Sequence, residues 1–331
     1  MHMEILSLYS PNIFVIKERI NFNQFLERYD TKQVLFMITP AVQKKISFSP
    51  KQGKLVTGYS FSKEDLDRKI PEIQNILKIV VVGASKMLDQ VKYIASQLKI
   101  HLIAIPSILS TNAFSTEMAV LKVNGKSTSI KAKVPDEVYI IDSLLETAPQ
   151  KYNRFGLIDV LSTYTAVQDW DIAINDQKAD FATEYYLAKA ILEVFLSAKL
   201  DTSNDYYNIT KLLLLSGLVV NMYGDGRPES GSEHIIAKAI ESKIECFHAY
   251  SVSFGMLVAM KLQDSWREDI VTITRNIPDW GSDYGKNILN QIEKNISSED
   301  IKPRLGRYTV LDKVDGNKIE SSIKEIINFL K

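Results

Sequence analysis

The first 150 residues alternate short apolar runs with segments of helical periodicity. Apolar runs over 33–40, 54–60, 78–83 and 101–107 predict strands, and 136–148 predicts a last strand that leads into a turn. Segments 62–77 and 85–99 instead carry apolar residues at the three- and four-residue spacing of a helix. This alternation predicts a Rossmann-like parallel sheet with helices on both faces, over residues 1–150.

The pattern changes after residue 150, where long helical segments replace the strands. Residues 182–199, 209–222 and the C-terminal SSIKEIINFLK all carry helical periodicity. We therefore predict an α-helical domain over 151–331. Two domains would form a cleft, and clefts between domains often bind ligands.

Composition narrows the classes of function. Of the 331 residues, Lys plus Arg number 40 and Asp plus Glu also number 40, so we expect no nucleic-acid or membrane partner. The single cysteine, Cys246, excludes a disulfide framework within the chain and predicts a cytoplasmic location. The N-terminal residues lack the pattern of a signal peptide, and no apolar run is long enough for a membrane span.

Two of the four histidines are candidate metal ligands. His234 and His248 both lie in the predicted helical domain, whereas His2 lies near the terminus and His101 begins a strand. Two imidazoles with one carboxylate bind zinc or iron and leave positions open for a substrate. Spacing alone favours the alternative, a chance pair of histidines.

Asp159 is a candidate third ligand. It lies in the mostly apolar helical segment GLIDVLSTYTAVQDW. A carboxylate on an apolar face needs a partner because burying an unpaired charge is costly. A metal ion would be such a partner, and a helix N-cap is the alternative explanation.

Two polar segments follow predicted strands. In VVGASKMLD (81–89) a strand ends at a glycine turn and a helix begins, an arrangement that favours phosphate binding. In IPSILSTNAF (105–114) hydroxyl and amide side chains follow a buried strand, as they would in a cofactor or polar-substrate site. A strand-ending glycine and an ordinary polar loop are the alternatives.

The order of these motifs resembles one family. The strongest segment is GRPESGSEHIIAKAIE (226–241), supported by AKVPDEVYIIDSLL (132–145), RFGLIDVLSTYTAVQDWDIA (154–173) and IKPRLGRYTVL (301–311). Together they resemble the sn-glycerol-1-phosphate dehydrogenases. That family belongs with the iron-containing alcohol dehydrogenases, glycerol dehydrogenase and dehydroquinate synthase. The resemblance spans 78 to about 311.

The resemblance implies a role for each matching residue. It makes 1–150 a nucleotide-binding domain and 151–331 a metal-binding domain. The implied ligands of a catalytic Zn²⁺, Fe²⁺ or other divalent metal are Asp159, His234 and His248. The implied contacts of NAD or NADP are Gly83, Ala84, Ser85, Lys86, Met87, Asp89, Ser107, Ser110 and Thr116. The implied substrate contacts are Asn112, Asp159, Lys238 and Arg227, with Lys238 and Asp159 as catalytic residues.

The chain departs from the family pattern at several of these positions. The family turn has three glycines, where this chain has Gly83, Ala84 and Ser85. The family aspartate at 112 is Asn112, and the family histidine at 238 is Lys238. These two changes replace a negative charge by a neutral amide and add a positive charge to the implied substrate pocket.

The activity implied by the resemblance is reduction of dihydroxyacetone phosphate to sn-glycerol 1-phosphate. Arg227, Lys302 and Arg307 are candidates for binding the substrate phosphate, although for each one alone the sequence slightly favours a solvated surface charge. The family also implies a homo-oligomer. Three alternatives stay open: a dehydrogenase acting on another polyol, a sugar-phosphate cyclase of the dehydroquinate synthase type, and a non-catalytic paralogue.

Overall fold

A computed structural model describes residues 10–58, 62–73, 75–198 and 205–331. The chain divides into two compact units. The first comprises Met1–Asn153 and Leu213–Met222, and the second comprises Arg154–Leu212 and Tyr223–Lys331. Segment Leu213–Met222 therefore groups with the first unit, although it lies far beyond residue 150.

The described part of the first unit contains a six-stranded parallel sheet. Its strands lie in the order β1-β8-β5-β4-β2-β3. Their bounds are β1 (Asn12–Ile16), β2 (Val34–Ile38), β3 (Lys54–Thr57), β4 (Lys78–Gly83), β5 (His101–Pro106) and β8 (Glu137–Ile141). This parallel sheet confirms the predicted fold class, and the 54–60 prediction extends into residues 59–60, outside the described residues.

The centre of this sheet is formed by β4 and β5. Both strands are buried along almost their whole length, as expected for apolar runs covered on both faces. They pair in register from Lys78 with His101 to Gly83 with Pro106. As a result, the two loops that follow these strands leave the same edge of the sheet.

Short helices connect the strands of the first unit. They are α1 (Phe22–Glu27), α2 (Pro40–Ile46), α3 (Lys63–Lys69), α4 (Ser85–Leu98), α5 (Asp142–Leu145) and α6 (Gln150–Asn153). Helix α4 buries nine consecutive residues, Met87–Ala95, and ends at Lys99 with a left-handed φ of 54°. Its length and position match the helix predicted over 85–99.

A separate antiparallel hairpin lies between β5 and β8. It consists of β6 (Met118–Val123) and β7 (Lys126–Lys131). Asn124 and Gly125 join the strands with φ values of 48° and 76°, the pair of positive angles that a tight type I′ turn requires. The sequence prediction did not include this hairpin.

The second unit consists of helices. Their bounds are α7 (Gly156–Asn175), α8 (Thr183–Ala198), α9 (Tyr206–Tyr223, shared with the first unit), α10 (Ser232–Lys243), α11 (His248–Leu262), α12 (Glu268–Asn276), α13 (Asp283–Asn295) and α14 (Gly316–Leu330). Among the described residues, no helix combines the length and apolar character needed to cross a membrane.

The core of the second unit is built around α7 and α11. Helix α11 is buried without interruption from Ala249 to Met260. Helix α7 buries residues on all its sides, including Trp170. A helix that is apolar all round belongs in the centre of a helical layer. The polar residues near the starts of these two helices therefore lie among mostly apolar side chains.

Candidate metal and coenzyme sites

Asp159, His234 and His248 come together in the second unit. Asp159 lies in the first turn of α7, His234 is the third residue of α10 and His248 is the first residue of α11. Each residue can offer one ligand atom, and these atoms all lie within 4.8 Å of one another. One carboxylate and two imidazoles at this separation fit a divalent metal with open coordination positions.

The two histidine rings lie close together. Their centroids are 5.4 Å apart and their planes are inclined by 47°. The Nε2 atom of His248 lies 3.5 Å from Oδ1 of Asp159. Because the three side chains come from three helices, the cluster depends on tertiary packing rather than on sequence spacing.

Each histidine also contacts a glutamate through its other ring nitrogen. Nδ1 of His234 lies 2.9 Å from Oε1 of Glu233. Nδ1 of His248 lies 2.6 Å from Oε1 of Glu241, which also accepts a hydrogen bond from the hydroxyl of Ser251. Both Nε2 atoms are thereby directed away from the glutamates. The sequence analysis did not identify Glu233 or Glu241.

The charges in this cluster act on one another. Desolvation lowers the pKa of His248, but the charge of Glu241, its hydrogen bond and Asp159 raise that pKa to about 9. Desolvation, together with the positive charges of His248 and Lys238, holds the pKa of His234 well below its usual value. Burial raises the pKa of Glu233 to about 7. The positively charged, protonated ring is therefore favoured at His248 and disfavoured at His234.

A network of buried hydrogen bonds fixes the start of α10. Glu233 accepts from the backbone N–H of Gly231 at 2.6 Å and from Thr165 Oγ1 at 2.9 Å. Asp169 accepts from the backbone N–H of Ser232 at 2.6 Å and from that of Val310 at 2.8 Å. These bonds satisfy buried donors and hold the backbone before His234.

Gly231 is required by this network. A Cβ atom there would lie 2.4 Å from Oδ2 of Asp169 and 3.0 Å from Cα of Ala166. The glycine of the SGSEH motif therefore has a structural role.

Lys238 lies on the same side of α10 as His234 and Glu241. Spacings of four and seven residues place the three on one face of a helix. Burial, then the positive charges of Arg304 and Arg307, lower the pKa of Lys238 to about 8. Arg304 was not identified from the sequence, because nothing in the local pattern connects residue 304 with residue 238.

Arg307 is a buried cation, whereas Lys302 is exposed. The guanidinium of Arg307 donates to the carbonyl of Ser230 at 2.6 Å and to Asp225 at 2.9 Å. Arg227 is also buried, and its guanidinium carbon lies 5.9 Å from the centre of the Trp170 ring. Of the three predicted phosphate ligands, Arg227 and Arg307 are therefore buried in the second unit, whereas Lys302 lies on its surface.

The predicted coenzyme turn lies at the carboxyl edge of the sheet in the first unit. Gly83 ends β4, Ala84 precedes α4 in an extended conformation, and Ser85 begins the helix. Because the N-cap residue is Ala84, no side chain caps the first N–H groups of the helix. A helix start of this kind presents backbone N–H groups and a positive dipole end, which suit a pyrophosphate.

Two neighbouring loops meet this turn. The N–H of Thr39, after β2, donates to the carbonyl of Val82, and the N–H of Ser107, after β5, donates to the carbonyl of Gly83. A Cβ on Gly83 would lie 2.5 Å from Cγ2 of Thr39. The glycine therefore permits this close approach, and Thr39 lies against the predicted coenzyme turn, although the sequence analysis did not include it.

The other predicted coenzyme residues occupy different surroundings. Lys86 is exposed and Ser110 is partly buried. Met87 and Asp89 are buried in α4, and Asp89 lies 3.0 Å from Nζ of Lys92. The Thr116 hydroxyl accepts from the N–H of Met118 at 3.1 Å.

Asn112, the predicted substrate contact, is buried in the first unit. Its amide nitrogen donates to the hydroxyl of Ser216 on α9 at 3.3 Å. Ser115, three residues later, donates to the carbonyl of Leu213 at 2.8 Å. These contacts explain why Leu213–Met222 groups with the first unit.

The chain is similar to known dehydrogenases. A family model for "Iron-containing alcohol dehydrogenase" matches residues 59–149. The glycerol-1-phosphate dehydrogenase [NAD(P)+] of Metallosphaera sedula is 28% identical over 257 residues, 71% of this chain and 72% of the relative. That of Methanosarcina mazei is 27% identical over 253 residues, 74% of this chain and 69% of the relative. The chain is therefore similar both to the iron-containing alcohol dehydrogenases and to these glycerol-1-phosphate dehydrogenases.

The fold agrees with the similarity to dehydrogenases. The crystal structure of a probable glycerol dehydrogenase from Sinorhizobium meliloti 1021 aligns with a TM-score of 0.68 at 18% identity, over 98% of both chains. The family model and the two relatives confirm the resemblance predicted from the motifs, and the structural alignment confirms the predicted fold.

Proposed function

We propose that this chain is a metal-dependent, NAD(P)-dependent dehydrogenase that reduces dihydroxyacetone phosphate to sn-glycerol 1-phosphate or catalyses a closely related polyol oxidoreduction. The observation that carries the proposal is the cluster of Asp159, His234 and His248. The similarity to the glycerol-1-phosphate dehydrogenases of Metallosphaera sedula and Methanosarcina mazei supports the choice of substrate.

Asp159, His234 and His248 would hold the metal, and the turn at Gly83–Ser85 would hold the coenzyme pyrophosphate. When bound, the metal polarises the substrate carbonyl and the coenzyme supplies the reducing equivalents. The remaining tasks fall to side chains of this protein. They must bind the substrate phosphate and deliver a proton to the oxygen that was the carbonyl oxygen.

Lys238 suits both tasks. Its ammonium group lies in a positive surrounding with Arg304 and Arg307, which favours a phosphate dianion. Its pKa of about 8 is also close to neutral, so that the ammonium can give up a proton under the conditions of the reaction. In this chain we therefore assign Lys238 to the substrate rather than to the metal.

The test compares wild type with His234→Ala, using His101→Ala as a control in the first unit. We expect roughly one metal ion per chain in wild type and in the control, and loss of the metal in His234→Ala. With dihydroxyacetone phosphate, wild type and control should oxidise NADH or NADPH stoichiometrically, and His234→Ala should not.

Two outcomes would contradict the proposal. Absence of bound metal in wild type, even after incubation with zinc, would exclude the metal-dependent reaction. Bound metal and bound coenzyme without net oxidation of NAD(P)H by dihydroxyacetone phosphate or polyol-type ketones would instead support a cyclase.

A further inference from the structure

The Nδ1 atoms of both candidate histidine ligands are held by carboxylates. Glu233 lies 2.9 Å from Nδ1 of His234, and Glu241 lies 2.6 Å from Nδ1 of His248. A carboxylate at one imidazole nitrogen fixes the ring orientation and places the proton on that nitrogen. When the ring holds only this proton, the lone pair of the other nitrogen, Nε2, is available for a metal.

The two glutamates are themselves held in place. Glu233 is fully buried and accepts hydrogen bonds from Gly231 N and Thr165 Oγ1. Glu241 is partly buried and accepts from the hydroxyl of Ser251, which is fully buried on α11. A carboxylate with additional donors cannot rotate freely away from its histidine. Each histidine is therefore the inner member of a chain of hydrogen bonds.

The two carboxylates also offset an unfavourable positive charge at the site. Asp159, His234 and His248 all lie in the first turns of their helices. The start of a helix carries a partial positive charge, which opposes the approach of a cation. The carboxylates of Glu233 and Glu241 offset this opposition and lie directly behind the two rings.

We propose that Glu233 and Glu241 are positioning residues that fix His234 and His248 with Nε2 toward the metal, and that Ser251 supports this arrangement by fixing Glu241. The proposal rests on the metal site of the proposed function. It assigns to three residues a role in metal affinity and ligand geometry that does not require contact with substrate.

Glu241 and Ser251 provide the sharpest test, because Glu233 is buried deeply enough that its replacement would also disturb folding. Metal dissociation constants would be measured by competition with a chromogenic chelator, without substrate or coenzyme. We expect Glu241→Ala to weaken binding by about 10- to 100-fold, and Glu241→Gln, which keeps an acceptor but loses the charge, to weaken binding less. Glu245→Ala, which removes a nearby exposed carboxylate, should change the constant by less than about twofold.

Ser251→Ala separates positioning from charge, because it changes no charge and touches neither Nδ1 atom. It removes the hydroxyl that contacts Glu241 and, at 2.9 Å, the backbone carbonyl of His248. We expect it to weaken metal binding several-fold and to alter the visible spectrum of the Co²⁺-substituted protein. Ser253→Ala is the matched control. Ser253 is also buried on α11, but it bonds to Tyr250 and Trp280, and its removal should leave both readouts unchanged.

Circular dichroism of the metal-free proteins would confirm that each variant folds. If folded Glu241→Ala and Ser251→Ala bind metal as tightly as wild type, with the same Co²⁺ spectrum, the inference is wrong while the proposed function stands. If wild type binds metal and the variants respond as expected but no NAD(P)H is oxidised, the proposed function is wrong and the inference stands. If wild type binds no metal, both are wrong.

Discussion

Gly255 on α11 lies so close to Glu233 on α10 that a Cβ atom on the glycine would be 2.3 Å from the glutamate carbonyl oxygen. The contact is with backbone, so no side-chain rotation could relieve it. Gly255 lies seven residues after His248 and therefore on the same face of α11. The absence of a side chain at this position lets the two histidine-bearing helices approach each other.

Gly255→Ala should therefore separate α10 from α11. We expect a loss of about 1–3 kcal/mol in the free energy of unfolding, because overpacked cores shift backbone at roughly that cost. We also expect weaker metal binding than in wild type, since the distance between His234 and His248 depends on this contact. Urea unfolding and metal titration would measure the two effects.

Gly281→Ala is the control for this substitution. A Cβ at Gly281 would meet no atom closer than 3.9 Å, so stability and metal affinity should both be retained. Wild-type stability and affinity in Gly255→Ala would show that the helices can adjust, and that this contact does not set the separation of the histidines.

Lys92 is a second buried feature with a measurable consequence. Its side chain is completely buried in α4 and lies 3.0 Å from Asp89. It donates to the carbonyl of Thr116 at 3.1 Å and to that of Met118. The ammonium thus connects α4, the helix that follows the predicted coenzyme turn, with the segment that begins β6.

Lys92→Met should lower the free energy of unfolding by about 3–5 kcal/mol, because it leaves Asp89 and two carbonyls without their buried cation. Lys86→Met on the exposed side of the same helix should cost less than about 0.5 kcal/mol. Chemical unfolding followed by circular dichroism would compare them. Equal stability of the two variants would mean that water or a rearranged side chain replaces the Lys92 ammonium.

The parts of the fold that were predictable from sequence have strong local signals. The apolar, β-branched segment Lys78–Gly83 and the periodic helix Ser85–Leu98 were predicted almost to the residue. The hairpin β6–β7 was not predicted, because the polar strand Lys126–Lys131 has no buried face that would give an apolar alternation. The Asn124–Gly125 turn was the available signal.

The candidate site was predictable only through family resemblance. Asp159, His234 and His248 are brought together by packing of three helices, and no local rule connects residue 159 with residue 248. The glutamates are different. Glu233 directly precedes His234, and Glu241 lies seven residues after His234 on the same face of α10. A search for carboxylates around the two histidines would have identified them.

The close contact between Gly83 and Thr39 can be tested with one substitution that creates a clash and a second that relieves it. Gly83→Ala would place a Cβ 2.5 Å from Cγ2 of Thr39 and 3.2 Å from Cβ of Met87. We expect a loss of about 1–3 kcal/mol in stability and weaker coenzyme binding, measured by quenching of tryptophan fluorescence or by calorimetry. Thr39→Ser removes the Cγ2 atom and should restore part of both quantities in the double variant.

The single variant Thr39→Ser is the control, and it should bind coenzyme nearly as wild type does. A double variant that is no better than Gly83→Ala would mean that the clash with Met87, rather than with Thr39, limits the turn. Unimpaired coenzyme binding by Gly83→Ala would argue against this turn as the pyrophosphate site.

Lys238 should give the reaction a characteristic pH dependence. Burial and the charges of Arg304 and Arg307 lower its pKa to about 8, so the ammonium form predominates below that pH and is lost above it. Both proposed tasks, binding the phosphate and donating a proton, require the ammonium form. The kcat/KM for reduction of dihydroxyacetone phosphate should therefore be constant below about pH 8 and fall above it.

Lys238→Met keeps the length of the side chain and removes its charge. We expect KM for dihydroxyacetone phosphate to rise by at least about tenfold, since a charge-assisted hydrogen bond contributes roughly 1.5–3 kcal/mol, and the decline centred near pH 8 to disappear. With uncharged dihydroxyacetone the KM should change little, because that substrate has no phosphate for the lysine to bind. Lys243→Met, on the more exposed end of α10, should leave both profiles unaltered. If Lys238→Met raised KM equally for the two substrates, the lysine would serve the shape of the site rather than its recognition of phosphate.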